Sequence, residues 1–202
     1  MGRKPGVRSL QDALERERLD PERLAGAMPR VLIAEGHASA LAVDWVRRLE
    51  QARSAGLPAI ARYPLDAGLR DALFEARRSR RLVRGLEGAE DALARQERGL
   101  AEAAAARPDP GQRRISRLLI VSADGSSRFY DQVARLLARY GSRLEVLLLE
   151  CDESELGSTA FGAGRRARAL LLEHKQAVAD FLMRLPRAEE QSGALSAEPE
   201  ID

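Results

Sequence analysis

The chain contains two groups of arginines whose chemistry suits phosphate binding. The first group lies between Ala76 and Gly85 with no acidic residue among its members, which are Arg77, Arg78, Arg80, Arg81 and Arg84. The second group consists of Arg165, Arg166 and Arg168. A guanidinium is planar, always charged and able to form paired hydrogen bonds with phosphate oxygens. If the two groups converge, they predict a cationic surface that binds nucleic acid with strong salt dependence. The alternative is a solvated surface whose arginines pair with local glutamates.

Acidic residues and a histidine suggest a second kind of chemistry. Several of them follow apolar runs that we predict to be strands, and ligands gather at strand ends in open α/β sheets. The residues are Glu35, His37, Asp124, Glu150 and Asp152. A hydrolase or a metal-dependent phosphotransfer enzyme could use carboxylates there, with His37 as acid or base. Otherwise Asp124 caps a helix and the remaining carboxylates are surface residues, because no second metal-ligand motif accompanies them.

The charge distribution and the aromatic content of the chain indicate which kind of partner to expect. The 202 residues include 33 Lys or Arg and 31 Asp or Glu, a net charge of +2, but the region after Arg187 is acidic and contains no base. The rest of the chain is therefore more basic than the net charge suggests. Aromatic residues make up only 4% of the chain, so we expect structured RNA rather than stacked single strands as the partner.

Cysteine and histidine are too scarce for a metal cage or an internal disulfide. Cys151 is the only cysteine, and His37 and His174 are the only histidines. We therefore expect no metal and no cofactor. The N-terminal region lacks the apolar run of a signal peptide, and no stretch reaches membrane-spanning length. These features predict a soluble, cytoplasmic protein without a membrane partner.

Alternating apolar runs and amphipathic stretches predict a layered α/β fold. The predicted strands are Val31–Ala34, Leu57–Tyr63, Arg117–Val121, Leu144–Leu149 and Ala169–Leu172. Helical spacing occurs between the first two strands, at about 66–79, at about 86–106 and after each later strand. Two prolines and a glycine at 108–111 must interrupt the third of these helices.

This pattern predicts four segments. Residues 1–28 form a charged helical arm, with Ser9 and Asp20 as N-caps and Pro21 at a first helical position. Residues 29–65 form a βαβ extension, and residues 66–187 form the main domain. Residues 188–202 form an acidic tail that we expect to be disordered, because it has few apolar residues.

Three motifs occur in an order that resembles a known family. They are Ala76–Gly85, Ser122–Ser126 and Glu153–Gly157. Together they resemble the kink-turn-binding ribosomal-protein superfamily, which includes archaeal ribosomal protein L-seven-Ae and its bacterial YlxQ-type relatives, over about residues 66–185. The resemblance implies a three-layer α/β/α sandwich with a mixed sheet, preceded here by the additional βαβ region.

The resemblance also implies roles for individual residues. Gly85 would turn the chain into a helix whose N-terminus faces the RNA, and Ser126 or Ser127 would cap the helix after the central strand. Leu156 would pack inward, Gly157 would turn the chain, and Arg165–Arg168 would belong to a loop that flanks the RNA.

The chain departs from the family at the recognition helix. Relatives open this helix with Asn-Glu and place a lysine a few residues later, whereas this chain has Glu87, Gly88 and Asp91 at those positions. A carboxylate in place of a cation repels phosphate. The region from Glu97 to Gln112 is an insertion relative to the family.

From these features we expect a non-enzymatic protein that binds structured RNA in translation or ribosome biogenesis. The expected partners are rRNA or another non-coding RNA, together with ribosomal or ribonucleoprotein components. An interaction or structural module of a ribonucleoprotein is an alternative, and the strand-end enzyme described above is another. The predicted RNA-binding residues are Arg77, Arg78, Arg81, Arg84, Gly85, Glu87, Gly88, Arg165, Arg166 and Arg168.

Overall fold

The structure, a computed structural model, describes residues 17–104 and 113–186. Most of the predicted arm, the predicted break at 108–111 and the acidic tail lie outside the described residues. Within the described ranges, no helix is both long and apolar enough to cross a membrane.

Helices and strands alternate along most of the described chain. The helices are α1 (Pro21–Ala27), α2 (Arg30–Ala34), α3 (Ala38–Ser54), α4 (Ala67–Arg78), α5 (Leu86–Ala104), α6 (Ser127–Tyr140), α7 (Glu153–Phe161) and α8 (Lys175–Met183). The strands are β1 (Ala61–Tyr63), β2 (Leu82–Arg84), β3 (Arg117–Ser122), β4 (Leu144–Leu149) and β5 (Ala169–Leu172).

Short polar side chains start several of these helices by accepting hydrogen bonds from otherwise unpaired backbone N–H groups. Asp20, Asp66, Ser126 and Asp152 each accept such a bond at the start of α1, α4, α6 and α7. The predicted caps Asp20 and Ser126 are therefore confirmed.

The strands form one mixed sheet in the order β1-β4-β3-β5-β2. β1, β4 and β3 are parallel, whereas β5 runs antiparallel to both β3 and β2. The register places Ala169 opposite Val121, and Leu170 opposite Arg84. We call the end of the sheet at which β1, β2, β3 and β4 finish and β5 begins the rim, and the opposite end the base.

Helices cover both faces of the sheet, which confirms the predicted three-layer sandwich. Side chains along β3 alternate between faces: Leu118 and Ile120 join one buried cluster, whereas Leu119 and Val121 join the other. The first cluster contains residues of α1–α4, α7 and α8, and the second contains residues of α5 and α6. Both faces are apolar because each supports a helical layer.

The predicted strand at Val31–Ala34 is wrong, because these residues belong to the single-turn helix α2. Leu32 is fully buried, whereas Val31 and Ile33 are 36% and 42% exposed. A four-residue apolar run fits a strand or a turn of helix equally well, and packing of Leu32 decides here. The βαβ extension therefore lacks its first strand. Its last strand shrinks to β1, which pairs with β4 and so joins the main sheet.

A buried ion-pair network ties the segment before α1 to the sheet. Glu145 of β4 is 1% exposed and bonds Arg18 Nε at 2.9 Å and Arg113 Nη2 at 2.8 Å. Glu145 Oε1 also accepts a hydrogen bond from the backbone N–H of Val146. Removing one member of such a buried network leaves the other charges without compensation.

We expect Glu145→Ala to lower the free energy of unfolding by about 3–5 kcal/mol, because it leaves Arg18 and Arg113 buried without a counter-charge. Urea denaturation followed by circular dichroism measures this loss. Glu150→Ala is the matched control: this exposed carboxylate pairs with Arg62 at 3.4 Å, and its loss should cost less than about 1 kcal/mol. Equal losses in the two variants would contradict the assignment.

The same network predicts a pH dependence. Burial alone would raise the pKa of Glu145, but Arg18 and Arg113 more than offset this effect and hold the pKa below its ordinary value of 4.5. The stability that this carboxylate contributes is thus present above pH 4.5 and is lost as the pH falls through the lowered pKa. Glu145→Gln cannot titrate, so its free energy of unfolding should fall less steeply with acid than that of the wild type. If the free energies of unfolding of Glu145→Gln and of the wild type fall equally steeply with pH, this prediction is contradicted.

Candidate nucleic-acid interface

The two arginine groups meet at the rim. Arg84 ends β2, and its guanidinium donates a hydrogen bond to the backbone carbonyl of Arg166, 82 residues away in sequence. Gly85 follows and donates its N–H to the carbonyl of Ala169 at 2.8 Å. The turn after β2 and the loop before β5 are therefore joined by both a side-chain and a backbone contact.

Gly85 allows the chain to pass directly from β2 into α5. Its φ of +79° is a left-handed conformation that a side chain would strain. The carbonyl of Gly85 accepts a bond from the Ala89 N–H at 3.0 Å, which starts the helix. The N-terminus of α5 therefore lies at the rim, where its free N–H groups favour anions.

Phe161 connects arginines from two elements and was missed from the sequence. The guanidinium carbons of Arg77 and Arg84 lie 5.8 and 5.7 Å from the centre of its ring. Such cation–π contacts hold both cations at a fixed position beside the ring. Aromatic residues at the end of α7 give no specific signal in one sequence, so only the fold identifies this contact.

Residues 165–168, which we call the arginine loop, pack tightly against α7 at Gly157. A Cβ at Gly157 would lie 2.4 Å from the Arg165 carbonyl oxygen and 2.6 Å from the Ala167 nitrogen. The Ala167 N–H also bonds the carbonyl of Glu153 at 2.8 Å. The expectation that Gly157 turns the chain is wrong: it lies inside α7, where its small size admits the loop. Leu156 is fully buried, as expected.

Two carboxylates hold the arginines of this loop. Glu153 forms ion pairs with Arg166 and, at 3.0 Å, with Arg168. Asp124 lies 3.9 Å from the guanidinium of Arg168. These pairs orient the loop and partly neutralise it. Arg165, by contrast, is exposed and forms no ion pair within the described part of the chain.

Asp124 also connects three segments of the rim. It accepts a hydrogen bond from the Ser122 hydroxyl at 2.6 Å and one from the Glu153 N–H at 3.2 Å. Partial burial would raise its pKa, but these hydrogen bonds and the charge of Arg168 lower the pKa below the ordinary 3.8. This environment favours a carboxylate that remains ionised and structural.

The other predicted binding residues are distributed around this centre. Arg78 turns toward Phe74 on its own helix, with the guanidinium carbon 5.8 Å from the ring centre. Arg81 immediately precedes β2 near the base, where its carbonyl accepts a bond from the Glu173 N–H. Glu87 is exposed in the first turn of α5, and Gly88 packs under Val83, which a Cβ would approach to 3.1 Å. The structure therefore groups Arg77, Arg84 and the 165–168 loop but separates Arg81 from them.

The alternative catalytic groups come together only in part: Asp124, Glu150 and Asp152 follow β3 and β4 at the rim. Glu35 and His37 follow the helix α2, not a strand, and Asp152 caps α7. The buried thiol of Cys151 has its pKa raised to about 12 by burial and by neighbouring carboxylates, which disfavours the thiolate. Among residues 17–104 and 113–186, no three His, Cys, Asp or Glu side chains are arranged to hold a metal ion.

Comparisons with protein-family models and with curated proteins give no match for this chain.

We expect Gly157→Ala to destabilise the fold by about 1–3 kcal/mol, because the added methyl group overlaps the backbone of the arginine loop. Gly99→Ala is the matched control: Gly99 lies inside α5 with nothing within 4 Å of a Cβ, and its replacement should stabilise the helix by about 0.5–1 kcal/mol. Thermal unfolding of the two variants should therefore shift in opposite directions. A stabilised Gly157→Ala variant would refute the packing described here.

Proposed function

We propose that this protein binds structured RNA through the rim. The observation that carries the proposal is the hydrogen bond from Arg84 to the carbonyl of Arg166. It places two arginine segments on either side of the Gly85 turn and the N-terminus of α5. The resemblance to kink-turn-binding ribosomal proteins supports the same surface, and a role in translation or ribosome biogenesis rests on that resemblance.

The charges at the rim support phosphate binding. Arg77 and Arg84 contact the ring of Phe161, and neither forms an ion pair within the described residues. Together with Arg165 they can each approach a phosphate without first losing a carboxylate partner. Glu87 opposes binding near α5, so the phosphates should follow the side of the rim nearer the 165–168 loop.

The rim suits folded RNA better than a single strand. Phe161 is half-buried and its ring already lies beside the guanidiniums of Arg77 and Arg84, so it is not a free platform for base stacking. The arginine loop is fixed by backbone hydrogen bonds and by Gly157. A rigid array of cations recognises the spacing of phosphates along the backbone of a folded RNA. Such contacts depend little on the base sequence.

The test is the salt dependence of RNA binding. We expect the triple variant Arg77→Gln, Arg84→Gln and Arg165→Gln to weaken binding and to reduce the slope of log affinity against log salt by about 2–3, because up to three phosphate contacts are lost. Fluorescence anisotropy with a kink-turn hairpin and with a plain hairpin of equal length gives both quantities.

A charge-matched control is available on the helices before β1. The triple variant Arg23→Gln, Arg30→Gln and Arg53→Gln removes the same charge from three exposed positions outside the rim. Equal effects of the two triple variants would show that only net charge matters and would contradict a binding surface at the rim. Wild-type protein that ignores both hairpins at low salt would reject the proposed function.

A further inference from the structure

A pair of half-buried arginines lies at the base, at the other end of the sheet from the rim. Arg117 begins β3, and Arg143 immediately precedes β4. Both guanidiniums bond to Ser116: Arg117 Nη1 donates to the Ser116 carbonyl at 2.6 Å, and Arg143 Nε donates to the Ser116 hydroxyl at 3.2 Å. Ser116 therefore holds two positively charged guanidiniums close together.

This pair has no carboxylate partner in the part of the chain that the structure describes. No acidic oxygen among the described residues lies within the 4.0 Å of an ion pair from either guanidinium, and the other partner of Arg117 is the neutral Gln96 Oε1. Glu97 is near, but it pairs with Arg139 at 3.8 Å. Glu173 attracts Arg117 only from a longer distance.

The arrangement is electrostatically unfavourable without an anion. Burial and the charge of Arg143 lower the pKa of Arg117 to about 10, and burial lowers that of Arg143. Partly buried cations are normally compensated by a nearby negative group. Here two of them lie together, and no carboxylate of residues 17–99 or 113–186 is in contact with either.

A small cavity of about 90 Å³ opens between these groups. It is lined by Gln96, Glu97, Arg117, Arg139, Ser142 and Arg143, together with apolar atoms of Leu93 and Tyr140. Its volume is well above the roughly 10–15 Å³ that a single water needs. Three arginines and one glutamate therefore surround a space that a compact anion can enter.

We propose that this cavity binds a phosphate group through Arg117 and Arg143. A tetrahedral oxoanion offers several acceptor oxygens, and two guanidiniums can satisfy them with charge-assisted hydrogen bonds. The site is independent of the proposed function: β3 separates it from the rim by about 20 Å, the length of six residues of strand.

The first experiment measures thermal stability against inorganic phosphate, with chloride at equal ionic strength as reference. A ligand that binds only the folded state raises the Tm, so the wild type should show a saturable, phosphate-specific increase. Arg143→Gln should weaken the apparent affinity at least about tenfold, because a charge-assisted contact is lost. Arg135→Gln, at an exposed position of α6 outside the cavity, should respond like the wild type.

Two further observations protect this test from a folding artefact. Arg143→Lys keeps the charge and should retain part of the phosphate response. In phosphate-free buffer, Arg143→Gln should unfold at a Tm no lower than that of the wild type, because the repulsion with Arg117 is removed. A phosphate response in Arg143→Gln equal to that of the wild type overturns the proposal.

The source of the phosphate group is resolved by repeating the titration with the kink-turn hairpin. A tenfold loss of RNA affinity in Arg143→Gln assigns the group to an RNA backbone. Unchanged RNA affinity combined with the phosphate-specific Tm increase assigns it to a free phosphate or a small phosphorylated compound. The absence of both effects overturns this site, while the rim variants still test the proposed function separately.

Discussion

The reversed direction of β5 is the constraint on which the candidate interface depends. β5 lies between β3 and β2 and runs antiparallel to both. Its entry into the sheet is therefore at the end where the other strands leave. As a result, the loop before β5 meets the turn after β2, and Arg84 reaches Arg166. A parallel β5 would place the arginine loop at the base and leave Gly85 without its contact to Ala169.

The rim contains arginines that are paired with carboxylates and others that are not. Glu153 and Asp124 lie among the arginines of the loop and hold Arg166 and Arg168 in place. Arg77, Arg84 and Arg165 are exposed and form no ion pair with any other described residue. Under the proposed function, orientation and binding would fall to different arginines, because an arginine already paired with a carboxylate gains less from a phosphate than a free one does. The base differs, since Arg117 and Arg143 lie together there without contact to a carboxylate of the residues that the structure describes.

The buried core explains how the arginines at the rim and at the base are held in position. The sheet is buried on both faces, with Trp45 and Phe181 below 2% exposed in one cluster and Leu119 and Leu171 fully buried in the other. Each buried side chain of this size contributes about 1.5–3 kcal/mol. The network of Glu145 then fixes the segment around Arg18 to β4, so the helices before β1 are part of the same packed unit. The loops at the rim and at the base therefore begin and end at strands that are held in place by the buried sheet.

The sequence by itself determined the elements with strong local signals. Apolar runs long enough to cross a buried sheet predicted β3, β4 and β5 to within a residue or two, and Asp20 and Ser126 predicted helix starts, because capping and burial are read from neighbouring residues. The strand predicted at Val31–Ala34 failed because a four-residue apolar run fits a strand or one turn of helix equally well, and the packing of Leu32 decided for the helix. The arginines were identified from their type and grouping, and Gly85 was identified from the resemblance to the kink-turn family. Only the tertiary structure decided that Arg84 meets Arg166 and that Arg81 lies away from them. It alone also showed the contacts of Phe161, Glu153 and Arg143, since strand order and direction depend on contacts between residues distant in the chain.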